Sequence, residues 1–226
     1  MSKPLIVYGA TELSKMLYFD SLDDPDFKIV AFATTSEYLT SDTFVGLPLI
    51  SINEAQALYP STHYDIITAV GGYSDMRAHT KYFYHAKQLG YELRSYVSKR
   101  AFISPGTCVA ENSMILPFTF VGADVDIQEN VIVRQNCYLG HHTAIKPHAF
   151  IGIGCTIGGG SEIGELSYIA MGAVIVDSIK IGRETLVGAG SVVLSDTQAY
   201  VKVVGNPARM IGSHEEEGIR IKKKNG

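Results

Sequence analysis

An unbroken six-residue repeat runs through the second half of the sequence and limits what this part of the chain can fold into. From Val97 to Val193 every sixth residue is Val, Ile or Leu, which makes seventeen positions without an insertion. An α-helix has no period of six, and an alternating strand does not single out one residue in six. A coil with three flat faces does, because one aliphatic side chain per face can fill its interior. Three hexads then form one turn, so residues 18 apart are expected to stack about 4.8 Å apart.

A second position of the repeat, four places after the aliphatic residue, is small. It holds Thr107, Ser113, Thr119, Cys137, Thr143, Ala149, Cys155, Ser161, Ser167, Ala173 and Ser191. We expect these side chains to lie beside the interior aliphatic residues, near the corners of the coil. Cys137 and Cys155 are therefore predicted to be buried packing residues and not nucleophiles. Three cysteines without close spacing do not indicate a disulfide framework, which favours a reducing compartment.

The first part of the chain alternates short apolar runs with amphipathic stretches. The predicted strands are "PLIVYGA", "FKIVAFAT", "YDIITAVGGY" and "YELRSYV", and the predicted helices are "TELSKMLYFD", "SINEAQALYP" and "SDMRAHTKYFYHAKQLG". Thr11, Ser51 and Ser74 are placed to cap these helices. The alternation indicates a small Rossmann-like parallel sheet, in which ligands bind beyond the carboxyl ends of the strands. The turn "GATELS" lacks the Gly-x-Gly-x-x-Gly spacing, so a dinucleotide site is not supported.

The predicted fold class is α/β plus all-β. We expect a Rossmann-like domain at residues 1–96, a parallel β-helix at 97–212 and a charged tail at 213–226. With 46% hydrophobic and 19% charged residues, the composition is that of an ordinary globular chain. The net charge of −4 gives no electrostatic footprint for nucleic acid. No run of 18 apolar residues predicts a membrane span, and the opening "MSKPLIVYGA" does not resemble a signal peptide, so we expect a cytoplasmic protein.

Two adjacent histidines, His141 and His142, follow an interior aliphatic position and approach an outward corner of the coil. Solvated corner residues, a catalytic base beside its helper, and a pair of metal ligands are three interpretations. The metal interpretation is the weakest, because adjacent strand residues point in opposite directions and the stacked positions, Ala123 and Gly159, offer no third ligand. A metal site is therefore not predicted. His148, on the next face, is expected to be solvated.

Several segments together resemble a known family. They are "IVYGA" near the start, "GYELRSYVSKRAFISPG" at the junction, the histidine within the repeat and the closing "VVGNPARMI". The chain resembles the hexapeptide-repeat acyltransferases, and more narrowly the sialic acid O-acetyltransferase-like family. That group includes N-acetyltransferases of nucleotide-linked amino sugars of the bacillosamine and perosamine type. The resemblance implies a left-handed β-helix, a homotrimer with acetyl-CoA between protomers, and a role in bacterial surface-glycan biosynthesis.

The resemblance gives the histidine pair a role. Family members carry their catalytic base two places after the interior aliphatic residue, where this chain has His141. An amine that attacks a thioester must lose a proton, and imidazole can accept it near neutral pH. Relatives have Asp or Glu at the next position, whereas this chain has His142, and Asp124, 18 residues earlier, could supply the missing carboxylate. The amide of Gly159, one coil beyond His141, is a candidate oxyanion donor, although Gly159 could equally be a plain corner glycine.

The resemblance also implies where the two substrates bind. For acetyl-CoA the matching positions are Phe150, Met171, Ala189, Gly205 and Arg209. Arg209 could meet a CoA phosphate or, equally, form an ion pair that caps the β-helix. For the nucleotide of the acceptor they are Ala10, Thr11, Glu12, Leu13, Thr34, Thr35, Gly72 and Tyr73. Bacillosamine-type relatives have a Ser-Gly-His turn and an Asp-Asp pair in the first domain, where this chain has "TEL" and "TT". Recognition of the base and ribose is therefore expected to differ, and uridine is not assured.

Two other classes of function remain open at this point. An acceptor hydroxyl would make the protein an O-acetyltransferase of a sugar or of sialic acid, with the same catalytic base. A β-helix with no enzymatic activity, acting as a scaffold, is the third possibility, and a histidine at the catalytic position of the repeat argues against it.

Overall fold

The computed structural model describes residues 2–70, 75–214 and 217–220. The chain divides into two compact units, residues 1–71 with 81–95, and residues 72–80 with 96–226. The first turn of the third helix is thus grouped with the second unit. The domain limits expected from the sequence did not include this exchange, and they remain predictions.

The first unit is a mixed sheet with short helices. Its elements are β1 (Leu5–Tyr8), α1 (Glu12–Ser21), β2 (Ile29–Thr34), a 3₁₀ turn (Ser36–Tyr38), β3 (Thr43–Phe44), β4 (Leu47–Ser51), α2 (Ile52–Leu58), β5 (Asp65–Thr68) and α3 (Met76–Gln88), whose later turns belong here. The strand order is β3-β4-β2-β1-β5, with β4, β2, β1 and β5 parallel and β3 antiparallel to β4. The predicted alternation of parallel strands and helices is present, while its Rossmann-like, nucleotide-binding character remains a prediction.

Two features of this sheet were not predicted correctly. The hairpin of β3 and β4 was missed, because its five-residue strand "LPLIS" contains a proline and gives a weak strand signal. The segment "YELRSYV" is not a fourth strand of this sheet: Leu93 makes a single bridge to Ile66, and the strand Tyr96–Val97 belongs to the second unit. The first strand of the β-helix therefore lies inside the predicted strand "YELRSYV".

Side chains at the N-termini fix the starts of α1 and α2. Thr11 caps α1 in a capping box with Ser14, and Ser51 caps α2, as the sequence predicted. The hydroxyls of Thr11 and Ser14 both donate to the carbonyl of Ala69, at 3.0 and 3.1 Å. Gly9 (φ 135°) lies so close that a Cβ would be 2.9 Å from the same oxygen. The turn between β1 and α1 is therefore packed tightly against the end of β5.

The second unit is a parallel β-helix built from two-residue strands, one per hexad. They are β6 (Tyr96–Val97), β7 (Phe102–Ile103), β8 (Cys108–Val109), β9 (Met114–Ile115), β10 (Phe120–Val121), β11 (Asp126–Ile127), β12 (Ile132–Val133), β13 (Tyr138–Leu139), β14 (Ala144–Ile145), β15 (Phe150–Ile151), β16 (Thr156–Ile157), β17 (Glu162–Ile163), β18 (Tyr168–Ile169), β19 (Val174–Ile175), β20 (Lys180–Ile181), β21 (Leu186–Val187) and β22 (Val192–Val193). Each strand ends at the predicted aliphatic position. Residues 18 apart pair in register, for example Leu139 with Ile157, and form three sheets. The predicted coil is confirmed.

The interior of the coil is closed by the aliphatic residues. From Ile115 to Val193 each of them is at most 2% exposed. The small residues lie beside them and bond to the next coil: Ser113 donates to the carbonyl of Gln128, and Cys137 to that of Gly152. Cys137 and Cys155 are buried free thiols, as predicted, and a hydrogen bond with Cys155 together with burial raises the pKa of Cys137 above its ordinary range.

One corner residue per hexad takes the left-handed backbone conformation. Every sixth residue from 106 to 190 has a positive φ, and the set includes five glycines, three asparagines, His142 and His148. His148 is not solvated, contrary to expectation. It is 2% exposed, and its Nδ1 lies 2.9 Å from Nδ2 of Asn130. The Oδ1 atom of Asn130 accepts a hydrogen bond from Nδ2 of Asn112. The buried polar residues at this corner thus form a hydrogen-bonded column. The repeat period alone does not distinguish them from the exposed corner residues.

A hairpin of β23 (Val201–Val204) and β24 (Arg209–Ser213) follows the last coil and pairs with β21. Within the same unit, Arg77 of α3 forms an ion pair with the buried Glu184, at 2.8 Å between Nη2 and Oε2. This contact joins the first turn of α3 to the β-helix within the second unit. No helix within the described ranges is long and apolar enough to cross a membrane.

The burial of the interior aliphatic residues predicts how substitutions change the free energy of unfolding. Ile157→Ala removes a fully buried side chain from the coil, and we expect a loss of about 2–5 kcal/mol in the free energy of unfolding. Ile153→Ala, at a corner where the side chain is 40% exposed, is the matched control and should cost less than about 1 kcal/mol. Urea unfolding followed by circular dichroism measures both. Equal losses would contradict the assignment of Ile157 to the interior.

Candidate active site

The histidine pair lies at the corner that follows the six-stranded sheet of the β-helix. This sheet contains β7, β10, β13, β16, β19 and β22, and we call it the aromatic face because it carries Phe102, Phe120 and Tyr138. One residue from each of four coils stacks at this corner, two places after the interior residue of strands β10, β13, β16 and β19. We call these residues the histidine column: Ala123, His141, Gly159 and Asp177. Both histidines are exposed.

The two imidazole rings contact each other through their Nδ1 atoms, which lie 3.1 Å apart. Adjacent residues of an extended strand could not do this. His142, however, occupies the left-handed corner position (φ 57°), so the chain turns between the rings and brings them edge to face at 85°. The Nε2 atom of His142 lies 3.6 Å from Oδ2 of Asp124, at the stacked corner one coil earlier. The suggested neighbour of His142 is therefore present, at ion-pair distance.

This chain of contacts favours one tautomer of each ring. A hydrogen bond between two Nδ1 atoms needs one donor and one acceptor. A proton on Nε2 of His142 faces the carboxylate of Asp124, which leaves Nδ1 of His142 as the acceptor. His141 then carries its proton on Nδ1, and its Nε2 has a free lone pair. That is the state that a general base requires.

Gly159 lies directly under the His141 ring. A Cβ on Gly159 would be 2.8 Å from Nε2 and 2.9 Å from Cε1 of His141, so only glycine leaves the ring in place. The Gly159 amide takes no part in the backbone hydrogen bonds between coils. It donates to Oδ1 of Asp177, at 2.7 Å. The predicted oxyanion donor is thus an amide in the histidine column that donates to the carboxylate of Asp177. Its catalytic role remains a prediction.

Asp177 was missed by the sequence reasoning. The signal was available, because Asp177 is 18 residues after Gly159 and two places after the interior residue Ile175. Asp177 is two coils from His141 and one coil from Gly159, and its position in the repeat alone does not show that its carboxylate accepts from the Gly159 amide.

The positions expected for acetyl-CoA differ in accessibility. Met171 (61% exposed) and Ala189 project from the corner that precedes the aromatic face, so the width of that face separates them from His141. Phe150 is 2% exposed and stacks on Tyr168 at 4.9 Å, so its side chain is part of the packing. Gly205 and Arg209 lie at the terminal hairpin, and Arg209 lines a cavity of about 560 Å³ with Val193, Asp196, Gln198 and Met210 among its other lining residues.

Several side chains expected to bind the acceptor nucleotide are buried or hydrogen-bonded within the first unit. The Thr11 hydroxyl is held by Ser14 and Ala69, Leu13 is buried, and Thr34 is 7% exposed at the end of β2. The remaining described positions are more open: Ala10 and Thr35 are half-buried and Glu12 is exposed. Gly72 and Tyr73 lie outside the described residues. The structure thus brings the described members of this set to the carboxyl ends of β1 and β2.

In the part of the chain that the structure describes, no group of three or more His, Cys, Asp or Glu residues could hold a metal ion. His141 and His142 contact each other, and the third member of the cluster, Asp124, lies beside only one of them. The geometry is that of a chain of proton donors and acceptors.

Comparison with known proteins first gives a class. The family described as "GMPPB C-terminal domain" matches residues 97–204, which is the β-helix. No curated protein sequence matches the chain.

Solved structures then give particular relatives of the same fold. PerB from Caulobacter crescentus, in complex with CoA and GDP-perosamine, has a TM-score of 0.83 at 21% identity over 92% of this chain and 97% of that chain. The acetyltransferase domain of PglB from Neisseria gonorrhoeae, in complex with acetyl coenzyme A, has a TM-score of 0.84 at 24% identity over 93% and 100%. WeeI from Acinetobacter baumannii has a TM-score of 0.65 at 22% identity over 92% and 100%. The resemblance stated from the sequence is therefore confirmed at the level of the fold.

The imidazole contact makes a prediction that needs no substrate. In ¹⁵N NMR spectra of the ring nitrogens, above the pH at which both rings are neutral, His141 should carry its proton mainly on Nδ1. His142→Ala removes the acceptor, so the His141 proton should move toward Nε2. His63→Gln, at an exposed site in the first unit, is the control and should leave the His141 signals unchanged. A His141 tautomer that does not respond to His142→Ala would contradict the hydrogen bond.

Proposed function

We propose that the protein is an acetyl-CoA-dependent N-acetyltransferase that acts on a nucleotide-linked amino sugar. One observation carries the proposal: the Asp124–His142–His141 chain of contacts ends at a ring nitrogen directly over Gly159. The shared fold supports it, because the structures with that fold include acetyltransferases with CoA or acetyl coenzyme A bound. The finer assignment, to a left-handed β-helix enzyme of bacterial surface-glycan biosynthesis in the cytoplasm, rests on the resemblance of the sequence.

The proposed role of His141 is to take a proton from the attacking nitrogen. Its Nε2 is the free nitrogen in the favoured tautomer, and Gly159 leaves room for a substrate beside it. His142 holds the Nδ1 proton of His141, and Asp124 stabilises the positive charge that develops on the pair. In this proposal His142 and Asp124 together replace the single carboxylate that relatives carry after their catalytic histidine.

The proposed role of Gly159 is to donate its amide to the oxygen of the tetrahedral intermediate. An amide outside the backbone ladder is suited to this, because it is held by the fold and is not bonded to a backbone carbonyl of the next coil. Asp177 must release this amide during the reaction, since its carboxylate accepts from it in the free protein.

Acetyl-CoA is proposed to bind at the corner that carries Met171 and Ala189, with Arg209 beside a phosphate. This corner and the corner with His141 lie at opposite edges of the aromatic face. A second copy of the chain, packed against that face, would bring one copy's Met171 corner to the other's His141. The face offers large exposed side chains for such a contact, namely Phe102, Phe120 and Tyr138 at 40–58% exposure. We therefore propose a homotrimer with acetyl-CoA between protomers.

The nucleotide of the acceptor is proposed to bind in the first unit, at the open ends of β1 and β2. Ala10, Glu12 and Thr35 are the accessible candidates among the described residues. Glu12 at the first turn of α1 places a negative charge where a phosphate would otherwise be favoured. The pyrophosphate is therefore expected to lie away from this helix end, and base recognition is expected to differ from that of uridine-binding relatives.

The activity is tested by thiol release from acetyl-CoA with a panel of GDP-, dTDP- and UDP-linked amino sugars. His141→Asn should lower kcat by at least about a hundredfold, because a general base contributes about 10²–10⁴ in rate. His142→Ala should have a smaller effect, and His142→Glu the smallest, because glutamate restores the carboxylate that relatives carry there.

The control for this series is His63→Gln, which should have wild-type kcat. Acetyl transfer to hydroxyl groups alone would favour an O-acetyltransferase. A His141→Asn protein with near-normal kcat at saturating substrates would contradict the proposed base, and an absence of transfer to every acceptor would favour a scaffold.

The assembly has its own test. Light scattering at micromolar protein concentration should give the mass of three chains, because burial of the exposed aromatic side chains stabilises the contact between copies. Phe120→Lys, in the middle of the aromatic stack, should lower the measured mass by placing a charge in that contact. A monomeric wild-type protein would contradict the proposal.

A further inference from the structure

Two side chains from different coils converge on the glycine pair Gly158–Gly159. The His141 ring reaches it from the preceding coil, and the Asp177 carboxylate reaches it from the following coil. A Cβ on Gly159 would be 2.8 Å from Nε2 of His141, and a Cβ on Gly158 would be 2.6 Å from Oδ1 of Asp177. The proposed base and a carboxylate thus lie over neighbouring residues, with no side chain of the intervening coil between them.

The charge of Asp177 is not compensated by the residues that the structure describes. Its side chain is exposed, and within the described ranges it forms no ion pair with Lys, Arg or His. One oxygen accepts from the Gly159 amide, and the other has no hydrogen-bond partner among the described residues. By contrast, Glu162 and Glu165 on the same β-helix pair with Lys146 and Arg183. A carboxylate beside the base therefore remains available to a cation from solution.

We propose that Asp177 is a specificity-determining residue that binds the acceptor in its protonated form, a primary ammonium group, and holds it beside Nε2 of His141. This inference rests on the proposed acetyl transfer and names the chemistry of the acceptor. An ammonium carries three donors and one positive charge, so it can donate to the free carboxylate oxygen and to the imidazole nitrogen together. A hydroxyl group carries no charge and gains far less from Asp177, so the site favours an amine over a hydroxyl.

The transfer then proceeds with one proton released. The ammonium gives a proton to Nε2 of His141, and the freed lone pair of nitrogen forms the C–N bond to the thioester carbonyl. The tetrahedral intermediate expels the sulfur of CoA as the C–S bond breaks, and that sulfur takes the proton from His141. The new amide nitrogen loses its remaining extra proton to water. The ammonium uses the free oxygen of Asp177, and the Gly159 amide exchanges the other oxygen for that of the intermediate as negative charge develops there.

Asp177→Asn separates the charge from the hydrogen bond. Asparagine keeps an oxygen that can accept from the Gly159 amide, and it removes the negative charge. With acetyl-CoA saturating and GDP-perosamine, or whichever nucleotide-linked amino sugar of the panel is used best, as the varied acceptor, KM for the amine should rise about tenfold, the size of one charge-assisted hydrogen bond. The kcat should change by less than about threefold, because His141 is intact. Asp177→Glu keeps the charge and should recover most of the affinity.

The matched control is Asp126→Asn, which makes the same change in net charge at an exposed carboxylate on the next face, where it accepts from Gln128. It should leave KM for the amine unchanged. If wild-type protein acetylates the amino sugar and Asp177→Asn has wild-type KM, the inference is wrong while the proposed function stands. A lowered melting temperature of Asp177→Asn with no change in KM would likewise assign Asp177 a structural role only. A wild-type protein that transfers acetyl to no amine would overturn both.

Discussion

The stacking of residues 18 apart is the constraint on which the β-helix depends. Each interior side chain, such as Leu139, packs on its equivalents one coil before and one coil after, and the backbone bonds run between the same neighbours. Because the interior is filled by one aliphatic residue per hexad, a single position in six defines the path of the chain. Apart from the small residue beside the interior, the other positions can then differ from coil to coil. The proposed active site is made from those positions, on a backbone that the interior holds rigid.

The proposed active site depends on a difference in burial between the corners of the β-helix. The corner column that holds Asn112, Asn130 and His148 is buried and hydrogen-bonded, whereas the corner that holds Asp124 and His142 is exposed. The left-handed conformation is the same in both. The surroundings therefore decide whether a polar corner stabilises the fold or is available for chemistry. At the exposed corner, the contacts of Asp124 with His142 and of Gly159 with Asp177 join one coil to the next, so the rise of the β-helix sets these distances.

The repeat made the β-helix predictable in detail, because one aliphatic residue in six fits no other regular structure. The first unit was less predictable. The strands β3 and β4 have no such period, and the end of the predicted strand "YELRSYV" forms the first strand of the β-helix at Tyr96. At the site, the positions of His141 and Gly159 followed from counting. The contact between the rings did not, because it depends on the backbone turn at His142. The bond from Gly159 to Asp177 joins backbone to side chain across coils, and the repeat places the two residues in neighbouring coils without recording the bond itself.

The use of one residue per coil has a consequence for how this sequence can change in length. Asp124, His142, Gly159 and Asp177 belong to four successive coils, so they are spread over more than fifty positions of the chain but lie along one edge. Adding or deleting residues inside a hexad between them would shift every later side chain to another face. Only a change of a whole coil would preserve the interior, and it would still move one member of the set out of reach of the rest. Length variation is therefore expected outside this span, and within it evolution is confined to substitution.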